Sequence, residues 1–242
     1  MSLLPGGVSV SHLRVYDWPA PDGVGRAGSG SPHLHTVSAE AYVVLGGTGA
    51  VHTLGPDGFV EHRLTVGDVV RFDPGVVHRA VNDGDLEVLV VMGNAGLPEA
   101  GDAVLTFPPQ VLADPDAYRA AAALPGPDAS DDALAAAARR RRDLALEGYA
   151  GLLDDVRRLG AAQALRPVHE AAARLVRPSV PDWQDRWTRG VLPESDGTAR
   201  ALDGLVRGDT GHLASALVRA ARPDPAPRRY GMCGRLQTWP LE

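Results

Sequence analysis

Residues 33–47 read His33-Leu34-His35-Thr36-Val37-Ser38-Ala39-Glu40-Ala41-Tyr42-Val43-Val44-Leu45-Gly46-Gly47, and residues 67–82 close on Pro74-Gly75-Val76-Val77-His78-Arg79-Ala80-Val81-Asn82. On a strand, positions i and i+2 share a face, so His33 and His35 present both imidazoles to one side. Glu40 lies an odd number of positions beyond His35, and an unbroken strand would turn it away. A bend at 36–39 restores its direction. His78 belongs to another strand and can approach from across the sheet. Three neutral imidazoles and one carboxylate form a site suited to one divalent metal ion: Mn, Fe, Ni, Zn or Cu.

The residues around these stretches read as short strands. Val8–Val15 alternates apolar and polar, the period of a half-buried strand. Runs follow at 41–45, 50–54, 59–66, 69–72, 76–81, 86–92 and 104–107. Turn residues separate them, among them Gly46-Gly47, Gly55-Pro56-Asp57-Gly58, Asp73-Pro74-Gly75 and Asn82-Asp83-Gly84. Short strands with no helix between them predict an antiparallel sandwich or barrel. After Pro108-Pro109 the texture becomes alanine-rich helix. Asp114-Pro115 opens a helix to about Leu124, ended by Pro125-Gly126-Pro127. Ser130-Asp131-Asp132 opens a longer one, weakened or split near Gly148 and Gly151. Further helices are expected over 167–177, 198–208 and 211–222, and 233–240 as a strand returning to the barrel. The expected division is therefore a β-barrel at 1–110 and a helical extension at 111–242.

Both motifs, with the strand pattern to about residue 110, resemble the cupin superfamily. Its first motif is written G(X)5HXH(X)3–4E(X)6G and its second G(X)5PXG(X)2H(X)3N. Ala27 replaces the leading glycine, and Asp73 takes the proline position with Pro74 one place later. These are turn positions, and all four ligand positions, His33, His35, Glu40 and His78, are filled. The resemblance implies a mainly β chain, a jelly-roll barrel followed by the helical region, holding one divalent metal. It offers three classes of function: an oxygen-using metalloenzyme, a redox-neutral isomerase, epimerase or decarboxylase, and a non-catalytic module that binds or senses a small molecule. The enzyme reading is preferred, with a small polar metabolite as substrate and Glu40 and Tyr42 as catalytic candidates. An extension of 130 residues exceeds what a binding-only cupin needs, and suggests a cap, a homodimer arm or a pocket wall.

Composition narrows the classes. All 24 basic residues are arginine, which removes lysine Schiff bases and the P-loop lysine. Cys233 is the single cysteine, so no intrachain disulfide or thiolate zinc site can form; far from the motifs in sequence, it reads as a small structural residue. The net charge of −6 carries no basic excess for nucleic acid. Arg139–Arg142, flanked by Asp131, Asp132 and Asp143, reads as a solvated helix face. No stretch approaches the roughly 18 apolar residues of a membrane span. The start at Met1–Pro5 lacks a signal peptide's basic and apolar regions, and a cytoplasmic location is expected. By alternation Arg79 points opposite to His78 and is expected at the surface, as are His52 and His62. Arg71 would meet an anionic substrate only if it faced inward. Asn82 is expected to brace a turn, His169 to pack between helices, and Trp183 and Trp187 to act as core or lid.

Overall fold

The structure is a computed structural model that describes residues 4–240 apart from 127 and 226; Met1–Leu3 of the start and Pro127 of the expected helix stop lie outside the described residues. The first half is strand: β1 (Ser9–Val15), β2 (Gly28–Ser29), β3 (His33–His35), β4 (Glu40–Gly55), β5 (Gly58–Leu64), β6 (Val69–Phe72), β7 (Val77–Met92) and β8 (Ala103–Leu105). Strands β4 and β7 are the spine, antiparallel from Glu40↔Met92 to Leu54↔Val77. Strands β5 and β6 extend β4 on its far side. Beyond β7, β1 pairs with one half of the strand while β2 and β3 pair with the other. The sheet wraps in the jelly-roll manner, but its hydrogen-bonded order does not close.

Two expected turns are bulges instead. Gly46-Gly47 and Asn82-Asp83-Gly84 face each other inside β4 and β7, where the register shifts. Gly47 takes φ +71, and a Cβ there would stand 2.1 Å from Asp85 O. Asn82 Oδ1 accepts from the N–H groups of Gly84 and Leu86, so the irregular backbone stays satisfied and both strands continue. Facing bulges bend the strands without ending them.

The helices are α1 (Pro109–Ala113), α2 (Pro115–Ala122), α3 (Asp131–Leu159), α4 (Ala161–Val176), α5 (Val180–Gly190), α6 (Leu192–Val206) and α7 (Gly211–Ala214). Asp114 caps α2 and Ser130 caps α3, as their positions predict. Helix α3 is not split. A Cβ on Gly148 would lie 2.2 Å from Thr106 O, so this glycine lets the helix cross close against the chain leaving β8. Replacing Gly148 with alanine is expected to push α3 off this contact and cost about 1–3 kcal/mol, the usual penalty of overpacking; urea unfolding measures it. Helix α4 begins before the expected start and carries Pro167 within it. The helix expected over 211–222 stops at Ala214. Leu217 and Val218 are exposed, and so short a helix without packing is marginal.

Helices and sheet share one core. Leu34, Leu54, Val77 and Leu105 pack with Ala145, Tyr149 and Leu165. Only half of the arginine run is a solvated face: Arg139 and Arg140 are exposed, but Arg141 and Arg142 are buried. Arg142 donates to Trp18 O at 2.8 Å and Pro19 O at 3.0 Å, and Arg141 to Gly231 O at 2.7 Å. These carbonyls lie outside regular strands and need donors, which long guanidinium side chains supply. Beyond the helices, β9 (Arg229–Tyr230) and β10 (Gly234–Thr238) return the chain, and β10 pairs antiparallel with β1. That return carries Cys233 back under the sheet.

Candidate metal centre

Pairing of β3 with β7 sets His33 directly opposite His78. The bend at 36–39 is held by Asp102, whose carbonyl accepts from Thr36 N–H at 3.0 Å and whose carboxylate accepts from Ser38 N–H at 2.9 Å, and by Gly93 and Asn94, which donate to Ala39 O and Val37 O. Glu40 therefore enters β4 facing inward. One ligand atom from each of His33, His35, Glu40 and His78 lies within 4.8 Å of the others, and all four residues are buried.

The ring protons are assigned by their partners. His33 Nδ1 lies 2.9 Å from Ser31 O, His35 Nδ1 2.6 Å from Asp102 Oδ1, and His78 Nδ1 3.1 Å from Val76 O. Each partner only accepts, so each Nδ1 carries the hydrogen that it donates. In the neutral rings the Nε2 lone pairs are then free to ligate. Glu40 Oε2 stands 3.2 Å from His35 Nε2 and 3.0 Å from His78 Nε2. Yet Glu40 Oε2 and His78 Nε2 are buried without an aligned hydrogen bond. Buried polar atoms rarely go unsatisfied, and a cation among them would satisfy both. The residues thus fit a metal ion, and four buried His and Glu side chains could hold one.

The electrostatics favour a neutral His33 and an ionised Glu40, while His35 is held charged. Burial, then the neighbouring His78 and His35, hold His33 well below the usual histidine range. Burial also works against a charged His35, but Asp102 and Glu40 outweigh it and push its pKa up to about 10, so near neutral pH this ring holds a proton on Nε2 that a metal would have to displace. Burial would raise Glu40, yet His78 and His35 hold it well below the usual carboxylate range. A carboxylate kept ionised among imidazoles is what a divalent cation needs. The Phe72 ring stacks on His78 at 4.2 Å and fixes its plane.

Asp102 escaped the sequence reading. It is fully buried, and its carboxylate orients His35. An acidic residue just ahead of a strand carries no motif, and only the pairing of His35 with Ala103 brings it near. Asparagine at 102 would set an amide N–H against one of two donors. We expect Asp102→Asn to lower metal affinity about 10–100-fold, the usual effect of losing such a support, measured by competition with a chelator.

A cavity of about 620 Å³ opens on His33, His35 and Glu40, and Tyr42, Arg141 and Cys233 also line it. Tyr42 faces inward as alternation predicts, its hydroxyl 3.9 Å from Cys233 Sγ. Cys233 is not remote from the site: its Sγ lies 3.9 Å from His33 Nδ1. Burial and then Glu40 push its thiol up to about 12, so near neutral pH it is a poor nucleophile.

Other candidates lie elsewhere. Arg79 does point away from His78, but it is 1% exposed and bound to Asp22 and Ser29. The loop carrying Asp22 covers that face of β7. His52 is likewise buried, against Glu61 at 3.0 Å, while His62 meets Thr53. Arg71 stays outside, paired with Asp73. His169 is exposed rather than packed between helices, with Nε2 2.9 Å from Gly75 O. Asn82 braces the bulge. Trp183 and Trp187 bond Ala100 and Asn94, anchoring α5 away from the ligands.

Residues 24–92 match the family model described as the cupin domain. No curated protein matches the chain. Among solved structures, the capsular polysaccharide assembling protein CapF of Staphylococcus aureus is 20% identical, over 41% of this chain and 28% of that one, with a TM-score of 0.31. A predicted oxalate decarboxylase from Thermotoga maritima is 26% identical, over 35% of this chain and 63% of that one, at 0.26. A double-stranded β-helix protein of Klebsiella pneumoniae is 24% identical, over 39% and 76%, at 0.27. This chain thus spans less than a third of CapF. Among the described residues no helix is long and apolar enough to cross a membrane.

Proposed function

We propose that this chain, whose residues 24–92 are a cupin domain, is a metal-dependent enzyme acting on a small polar metabolite bound over His33, His35, Glu40 and His78. The observation that carries the reading is the pair of orphaned atoms, Glu40 Oε2 and His78 Nε2, buried where Glu40, His33 and His35 line a 620 Å³ cavity. A cavity of that size suits a small molecule. A bound divalent ion, whether Fe, Mn, Ni, Zn or Cu, would supply Lewis acidity for a carbonyl or enediolate, or a site for oxygen chemistry.

The chain's own groups have distinct tasks in this reading. Glu40, kept ionised, would hold the ion, and only after loosening from it and from the imidazoles would it serve as the base that takes a substrate proton. Burial, with Cys233 and Glu40 nearby, holds the Tyr42 hydroxyl far above its usual range, so it works as a hydrogen-bond donor and not as a base. Leu13, Val90, Met92 and Leu236 line the cavity and limit water. The returning segment from Arg229 to Thr238 walls it, so the 111–242 extension completes the site of the 1–110 barrel.

The test is turnover of hydroxy-ketones, sugars and small acids with and without oxygen. Loss of activity under anaerobic conditions identifies a dioxygenase, and continued activity an isomerase, epimerase or decarboxylase. Full turnover by metal-stripped protein would overturn the metalloenzyme reading. Saturable binding without turnover would make the site a binding module.

A further inference from the structure

A second cavity, of about 570 Å³, lies on the other face of β3, between that strand, the Pro74-Gly75 loop, and α4 and α5. Leu34 points into it from between the two metal-facing imidazoles, as strand alternation requires. Its walls are largely apolar, with Ala172, Val176, Val180 and Trp183 contributing. The Trp183 indole N–H is satisfied by Ala100 O at 3.3 Å, which leaves the ring as apolar wall. Two arginines, Arg174 and Arg177, share this lining. Both residues are exposed on α4 and just past its end, and neither side chain has an ion-pair or hydrogen-bond partner among the described residues. Asp73, beside Pro74 of the lining, is already held by Arg71 at 2.7 Å. His169 is committed to Gly75 O. The cleft therefore combines an apolar interior with two arginines and no carboxylate in its lining.

We propose that this cleft is a second binding site, for a small amphipathic carboxylate. Its apolar body lies against Val176, Val180 and Trp183, and its carboxylate meets Arg174 and Arg177. Guanidinium–carboxylate pairs are strong, directional contacts, and pockets of this volume take ligands of small organic size. The site is independent of the metal centre, since β3 separates the two cavities.

Calorimetric titration of the full chain, in metal-loaded and metal-stripped form, tests this with decanoate, acetate and decyltrimethylammonium as probes. Decanoate should bind saturably at one site, equally in both forms, with no saturable signal from acetate or the cation. Arg174→Ala with Arg177→Ala should weaken decanoate about tenfold or more, the scale of a lost charge-assisted contact. Ala173→Trp, at an exposed position of the lining, should block it. No saturable decanoate binding, binding unaffected by these substitutions, equal binding of the cation, or binding lost with the metal would each overturn the proposal.

Discussion

Replacing His78 with alanine is expected to remove metal binding and, with it, any turnover at this site. Its Nε2 and Glu40 Oε2 are the two atoms of this site that are buried without a hydrogen bond, and they lie 3.0 Å apart. Loss of a ligand should exceed the roughly 100-fold drop in affinity that loss of an outer support can cause. The variant also leaves a hole beside Phe72, so His78→Gln, closer in shape, serves as the companion. Far-UV circular dichroism should show the helices intact in both. Metal retained at one equivalent by either variant would remove His78 from the ligand set.

The second large effect concerns stability. Arg79 is sealed beneath the loop that carries Asp22, with Nη1 2.5 Å from Asp22 Oδ2 and Nη2 2.6 Å from Ser29 Oγ. Its Nε has no partner at all. Asp22→Ala would leave a buried cation without its counter-charge. Such breaks cost about 3–5 kcal/mol, and the partial exposure of Asp22 argues for the lower end. Arg79→Met should cost less, because the freed carboxylate can turn to water. Burial raises the Asp22 pKa, but the hydrogen bonds and charge of Arg79 outweigh it and lower it overall. The pair's contribution is therefore complete above the ordinary aspartate range near about 4. It fades as pH falls through the lower folded value. Urea unfolding at pH 7 and at pH 3 checks both points; equal losses for the two variants would contradict the account.

The convergence of His33, His35, Glu40 and His78 was legible because its geometry is local: the i, i+2 histidines, a short bend and one cross-strand partner need only strand alternation. Alternation also placed Tyr42 inward and Arg79 away from His78. It says nothing of what covers the far face of a strand, so the burial of Arg79 was missed. Arg141 and Arg142 were missed for the same reason, since charge in a helix marks a surface only where no irregular carbonyls lie against it. Asp102 and Cys233 reach the site from 67 and 200 positions away in sequence, through pairings that no local pattern announces. The unbroken β4, β7 and α3 show glycines acting in two ways that sequence alone does not separate from a turn: a bulge at Gly47, and close approach of backbones at Gly148.

The most direct test of the central claim is the metal content of protein purified without added metal and then incubated with each candidate divalent ion and desalted. One equivalent of a single transition metal per chain, lost in His78→Ala, is the result this structure predicts. Less than about a tenth of an equivalent after every incubation, in protein shown to be folded, would contradict it, because Glu40 Oε2 and His78 Nε2 would then be buried polar atoms with no ligand to satisfy them.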